Sequence, residues 1–89
     1  MSIDWAKIRS DFPVLSRTVN DKALIYFDSA NTAQKPIAVI ESVDSFYREH
    51  NAIISRAVHT LGMEATEAFE AARQKIAKFI HVRADELVL

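Results

Sequence analysis

Residues 28–36, Asp28-Ser29-Ala30-Asn31-Thr32-Ala33-Gln34-Lys35-Pro36, follow the apolar run Leu24–Phe27 and precede an amphipathic stretch. Small side chains alternate there with carboxylate, hydroxyl and amide groups. Two chemistries are open to such a stretch. One is helix entry, in which polar side chains satisfy the N–H groups that a helix start leaves unpaired. The other is a backbone that must come close to a small molecule, where bulk would obstruct it.

The remaining reactive side chains are more easily assigned to structure. His50, His59 and His81 do not stand at the i,i+4 spacing of a helical zinc pair, and no neighbouring carboxylates complete a ligand set. Surface or capping roles suit them. Ser29 and Ser55 lie in polar segments, but no pattern couples either to His59 and an orienting acid, as a serine nucleophile requires. Glu64, Glu67 and Glu70 recur every three residues and so line one side of a helix, as a solvated face. Phe46, Tyr47, Phe69 and Phe79 fall at helical spacing and suit a core better than a cofactor box. The sequence has no cysteine, which excludes disulfides, thiolate metal sites and a cysteine nucleophile within these 89 residues. Its one glycine, Gly62, stands where average usage of about 7% would give roughly six. No glycine-rich phosphate motif can be written with it.

Elements that would position these residues follow from periodicity. Trp5, Ile8 and Phe12 share a stripe, predicting a short helix from Asp4 to Ser10 that Pro13 terminates. Thr18-Val19 and Leu24–Phe27 flank the turn-forming Asn20-Asp21-Lys22-Ala23, predicting a β-hairpin. Pro36 suits the first turn of a helix carrying Ile37, Ile40, Val43 and Tyr47, with Val39 and Phe46 beside them, and ending near His50-Asn51. Residues 51–61 read as an irregular or extended link. A long helix over Met63–Ile80 places Ala65, Ala68/Phe69, Ala72, Ile76 and Phe79/Ile80 on one face. Its acids come early and its bases late, which complements the helix dipole, and Glu70 is spaced to pair with Arg73. Leu87-Val88-Leu89 reads as the start of a strand.

Apolar residues form 49% and charged residues 26% of the chain, a globular balance, with a formal net charge of −1. Without a basic stripe, nucleic acid is not an expected partner. Neither a signal-peptide core nor the ~20-residue apolar run of a membrane span is present, so the expectation is a soluble, cytoplasmic protein with no membrane partner.

At residues 25–36, IYFDSANTAQKP, and 55–80, SRAVHTLGMEATEAFEAARQKIAKFI, the sequence resembles the N-terminal segment of SUF-type cysteine desulfurases. These are pyridoxal-phosphate enzymes of the class V aminotransferase group, and selenocysteine lyases share the pattern. The resemblance runs from DFPVLSR at 11–17 to ADELVL at 84–89. It implies an α/β fold: the N-terminal fragment of a fold-type I pyridoxal-phosphate transferase, with a short helix, a β-hairpin, two longer helices and a terminal strand stub. Residues 1–89 would form a single fragment covering part of the small domain and the start of the large cofactor-binding domain.

The implied parent activity converts L-cysteine to L-alanine and passes the sulfur to a cysteine as a persulfide, for iron–sulfur cluster assembly. It works in a homodimer that holds pyridoxal phosphate on a lysine. Ala30 and Asn31 match the loop beside the substrate amino acid, and Arg56 matches an arginine near the mouth of the active site. By the same resemblance, the phosphate-binding turn, the cofactor lysine and the acceptor cysteine have no counterparts in these 89 residues. The chain alone is therefore expected to bind no pyridoxal phosphate and to be inactive. By the same resemblance, the family pattern usually has alanine at Asn31, has histidine at Ser55 and glycine at Ala57, and usually has glycine at Asp21. Two other readings are a non-catalytic module or truncated relic that dimerises or docks on a full-length desulfurase, and a small independent helical domain.

Overall fold

The computed structural model describes residues 2–56 and 58–89. The chain divides into two compact units, Met1–Asp44 and Ser45–Leu89.

In the first unit, helix α1 (Trp5–Ser10) forms as its stripe predicts. Asp4 caps it, one carboxylate oxygen accepting the Lys7 N–H at 3.0 Å, which satisfies one of the donors left open at a helix start. The chain leaves at Asp11 and makes a 3₁₀ turn over Pro13–Ser16. Strands β1 (Thr18–Val19) and β2 (Lys22–Ala23) then pair antiparallel, Thr18 opposite Ala23 and Val19 opposite Lys22. The hairpin is thus tighter than its periodicity suggests: the second strand is Lys22–Ala23 rather than Leu24–Phe27. The connection is the two residues Asn20 and Asp21, both with left-handed φ, 52° and 62°. That is the conformation required by the two-residue hairpin turns whose twist matches the strands, and Asn and Asp tolerate it. Asp21 takes it without glycine's freedom.

Arg9 holds this unit together. Its Nη2 donates to the Leu15 carbonyl at 3.2 Å and to the Leu24 carbonyl at 2.8 Å, tying α1 to the 3₁₀ turn and to the exit of β2. Helix α2 (Ile37–Glu49) begins where Pro36 suggests, but with Pro36 just outside it. The Pro36 carbonyl accepts from Val39 and Ile40, and the Ile37 N–H donates to the Asp11 carbonyl at 2.7 Å.

In the second unit, α3 (Thr60–Phe79) starts three residues earlier than predicted. The His59 ring caps it, Nδ1 accepting the Gly62 N–H at 3.1 Å. At its far end His81 takes φ 61° while Val82 N–H donates to Ala77 O and His81 N–H to Lys78 O. This is a Schellman motif with histidine in the place that favours glycine, at a cost of roughly 1–2 kcal/mol. A second 3₁₀ turn covers Ala84–Glu86. Leu87 is extended, but residues 87–89 pair with no strand among the described residues, so the expected terminal strand is a single unpaired segment. Arg73 ties it to α3, donating from Nη1 to the Leu87 carbonyl while its guanidinium lies 5.1 Å over the Phe69 ring.

The enclosed stripe of α3 runs through Gly62, Ala65, Thr66, Phe69, Arg73 and Ala77. It agrees with the predicted face at 65 and 69 and then departs from it. Ala72, Ile76, Phe79 and Ile80 stand in solvent, Phe79 at 83% exposure. Among the described residues the buried apolar side chains are only Ala65 and Ala77. Trp5, Phe27, Val43 and Tyr47 are likewise exposed. No helix of the described residues is long and apolar enough to cross a membrane.

Each large apolar side chain left in water forgoes about 1.5–3 kcal/mol of burial. The isolated 89-residue chain is therefore expected to bind the dye ANS and to melt over a broad range. A steep thermal transition with equal calorimetric and van't Hoff enthalpies and no dye binding would contradict this.

Candidate functional site

The loop Asp28–Lys35 in the first unit is organised by bonds within itself. The Asn31 and Thr32 N–H groups donate to the Asp28 carbonyl at 3.1 and 3.2 Å, making one right-handed turn without glycine. Asn31 Nδ2 donates to Asp28 Oδ1 at 2.7 Å. Lys35 Nζ donates to the Ala33 carbonyl at 2.6 Å and to Thr32 Oγ1 at 3.2 Å. Tyr26, half-buried, brings its hydroxyl within reach of both the Thr32 and Asp28 carbonyls, at 2.5 and 3.2 Å. These side chains serve the loop rather than the start of α2, so the helix-entry reading of the stretch does not describe it. Ala30 and Asn31 sit together on the exposed turn.

Arg56 belongs to the second unit, in the irregular segment before α3, and is exposed. The backbone next to it is fixed. Ser55 takes φ 68°, and its N–H donates to Thr66 Oγ1 at 2.9 Å, while the Thr66 hydroxyl donates to the Gly62 carbonyl at 2.8 Å. One threonine thus anchors the segment to the first turns of α3, a contact that spacing along the sequence does not reveal. An open groove of about 470 Å³ lies here, lined by Ser55, Thr60, Met63, Glu64, Thr66 and Glu67. Ala57 lies outside the described residues.

The other candidates fall where structural roles place them. His59 is the cap of α3. His50 Nδ1 approaches Glu64 Oε2 at 3.1 Å, and Glu70 pairs with Arg73 at 3.3 Å as its spacing predicts. Among the described residues, no group of three or more histidine, aspartate or glutamate side chains is placed to hold a metal ion.

Comparison with known proteins supplies the class. The aminotransferase class-V family profile matches residues 25–89, and the chain belongs to that family. Similar curated proteins are a probable cysteine desulfurase of Xylella fastidiosa strain Temecula1, 64% identical over 99% of this chain, and a cysteine desulfurase of Cronobacter sakazakii, 49% identical over all of it. The apo structure of a cysteine desulfurase from Thermococcus onnurineus NA1 superposes with a TM-score of 0.83 at 32% identity, over 98% of this chain and 20% of that one. The chain spans about a fifth of the length of the curated relatives it matches, 21% and 22% for those two.

Pyridoxal phosphate, which the family implies, does not fit the described residues. A cofactor lysine needs an enclosed, poised amine, whereas every lysine here is exposed and the Lys35 amine is bonded within its own loop. No polar or charged side chain among the described residues is buried.

If Thr66 anchors the Arg56 segment, Thr66→Val should speed amide exchange at Ser55 about fivefold, while Thr66→Ser should leave it unchanged. Equal exchange in all three proteins would show that the hydroxyl carries no such role.

Proposed function

We propose that these residues form the N-terminal, substrate-facing part of a cytoplasmic, homodimeric cysteine desulfurase that converts L-cysteine to L-alanine and transfers the sulfur as a persulfide for iron–sulfur cluster assembly. In that enzyme pyridoxal phosphate supplies the electron sink for breaking the carbon–sulfur bond. The cofactor lysine and acceptor cysteine belong to other parts of the enzyme. Residues 1–89 contribute to both its small domain and the start of its large domain.

Within it, Ala30 and Asn31 border the substrate. The Ala30 methyl leaves room for the amino acid, and the exposed turn offers its carboxylate a close approach. Arg56 supplies a guanidinium for that carboxylate, or for pairing of subunits near the active-site mouth. The observation that carries this reading is the glycine-free turn at Asp28–Thr32, built from its own side chains and presenting small residues to solvent, on a chain similar to desulfurases over nearly its whole length.

The test replaces the matching segment of the Xylella relative with these 89 residues. The chimera should release alanine from cysteine, and Arg56→Ala in it should raise KM for cysteine about tenfold. A folded chimera without alanine release contradicts the desulfurase reading. An unchanged KM removes Arg56 from the substrate site.

A further inference from the structure

We propose that Tyr26 is a positioning residue for the substrate loop: its hydroxyl donates to the Thr32 carbonyl and so pins the far end of the turn that carries Ala30 and Asn31. This rests on the reading of that turn as substrate-facing.

Residues 28–32 contain no glycine and have no positive φ, so nothing in the backbone preferences of the turn forces its shape. Its far end is instead held from outside by the Tyr26 hydroxyl, whose oxygen lies near the carbonyls of both Asp28 and Thr32. A phenol has one proton, and the nearer Thr32 carbonyl receives it. The Asp28 carbonyl has other donors, the Asn31 and Thr32 N–H groups. Tyr26 therefore holds the turn from the segment that precedes it, while the Asp28 carboxylate closes it from within by engaging the Asn31 amide.

The Asn31 bond has a consequence for specificity. An asparagine where the family has alanine adds an amide that could contact substrate. Here that amide donates to Asp28, so it stiffens the turn instead. Tyr26 also differs from its neighbours. Ile25 and Phe27 are exposed, Phe27 at 95%, whereas Tyr26 is half-buried with its hydroxyl directed at the loop.

Positioning of this kind acts on how well substrate is held, not on the bond-breaking step. Tyr26→Phe keeps the ring and removes only the hydroxyl. In the chimera it should raise KM for cysteine about tenfold, leave kcat within about twofold, and leave cofactor absorbance unchanged. Amide exchange at Asn31 and Thr32 in the same protein should speed by a similar factor, a readout that does not depend on turnover. Unchanged KM and unchanged exchange overturn the proposal. Parallel loss of kcat and cofactor also overturns it, since that marks a general structural role. Should the unsubstituted chimera be inactive, the desulfurase reading fails on that result alone, and the Tyr26 pin then stands or falls on the exchange rates.

Discussion

Burial of apolar surface is the constraint on which everything else in this structure depends. The elements are local and well made: α1 has its aspartate cap, the hairpin its left-handed turn, and α3 a cap at each end. Yet the apolar side chains they enclose within the described residues are alanines, while Trp5, Phe27, Val43, Tyr47 and Phe79 meet water. Hydrogen bonds and caps contribute about 1 kcal/mol apiece and cannot replace that missing burial. The amphipathic faces are sound as patterns and lack an opposing surface, which is the condition of a part of a larger fold. Curated relatives about five times as long, and a desulfurase structure that superposes over a fifth of its own length, agree with that account.

Polar anchors fix the local geometry of each unit. Arg9 reaches two carbonyls in the first unit, and Arg73 in the second combines a carbonyl, a carboxylate and an aromatic face. Both are charged groups used for geometry, and arginine suits this because its planar fork offers several donors in fixed directions. The same economy shapes the two segments proposed to meet substrate. Asp28–Thr32 is held by a phenol and a carboxylate–amide pair, and Ser55 by a threonine hydroxyl. Neither segment uses glycine, in a chain with only one.

Much of the architecture was legible in the sequence. Helical periodicity located all three α-helices of the described residues, and Pro13 and Pro36 marked boundaries close to those observed. The helix start at Thr60 was not legible, because Gly62 reads as a breaker and histidine is an uncommon cap; in the first turn, however, every N–H lacks an intrahelical partner, and that of Gly62 meets the His59 ring. The β2 register was obscured because Leu24–Phe27 is the more strand-like run, although the turn residues favoured the shorter connection. For α3, the apolar residues at 72, 76 and 79 predicted an enclosed face, but they are exposed. Arg73 and Ala77 are drawn inward instead, by the segment that follows the helix. The candidate site divides in the same way. Ala30, Asn31 and Arg56 are proposed on the family resemblance, whereas the contacts of Tyr26 and Thr66 are ones that no local pattern encodes.

The most direct measurement is amide hydrogen exchange along α2 and α3, compared between the free 89-residue chain and the same residues within the desulfurase chimera. Covering the exposed faces should slow exchange at their helical amides by more than about tenfold, since protection follows the free energy of local opening. Equal protection in the two settings would mean that the rest of an enzyme adds nothing to these helices, and the account of this chain as one portion of a larger catalyst would be wrong.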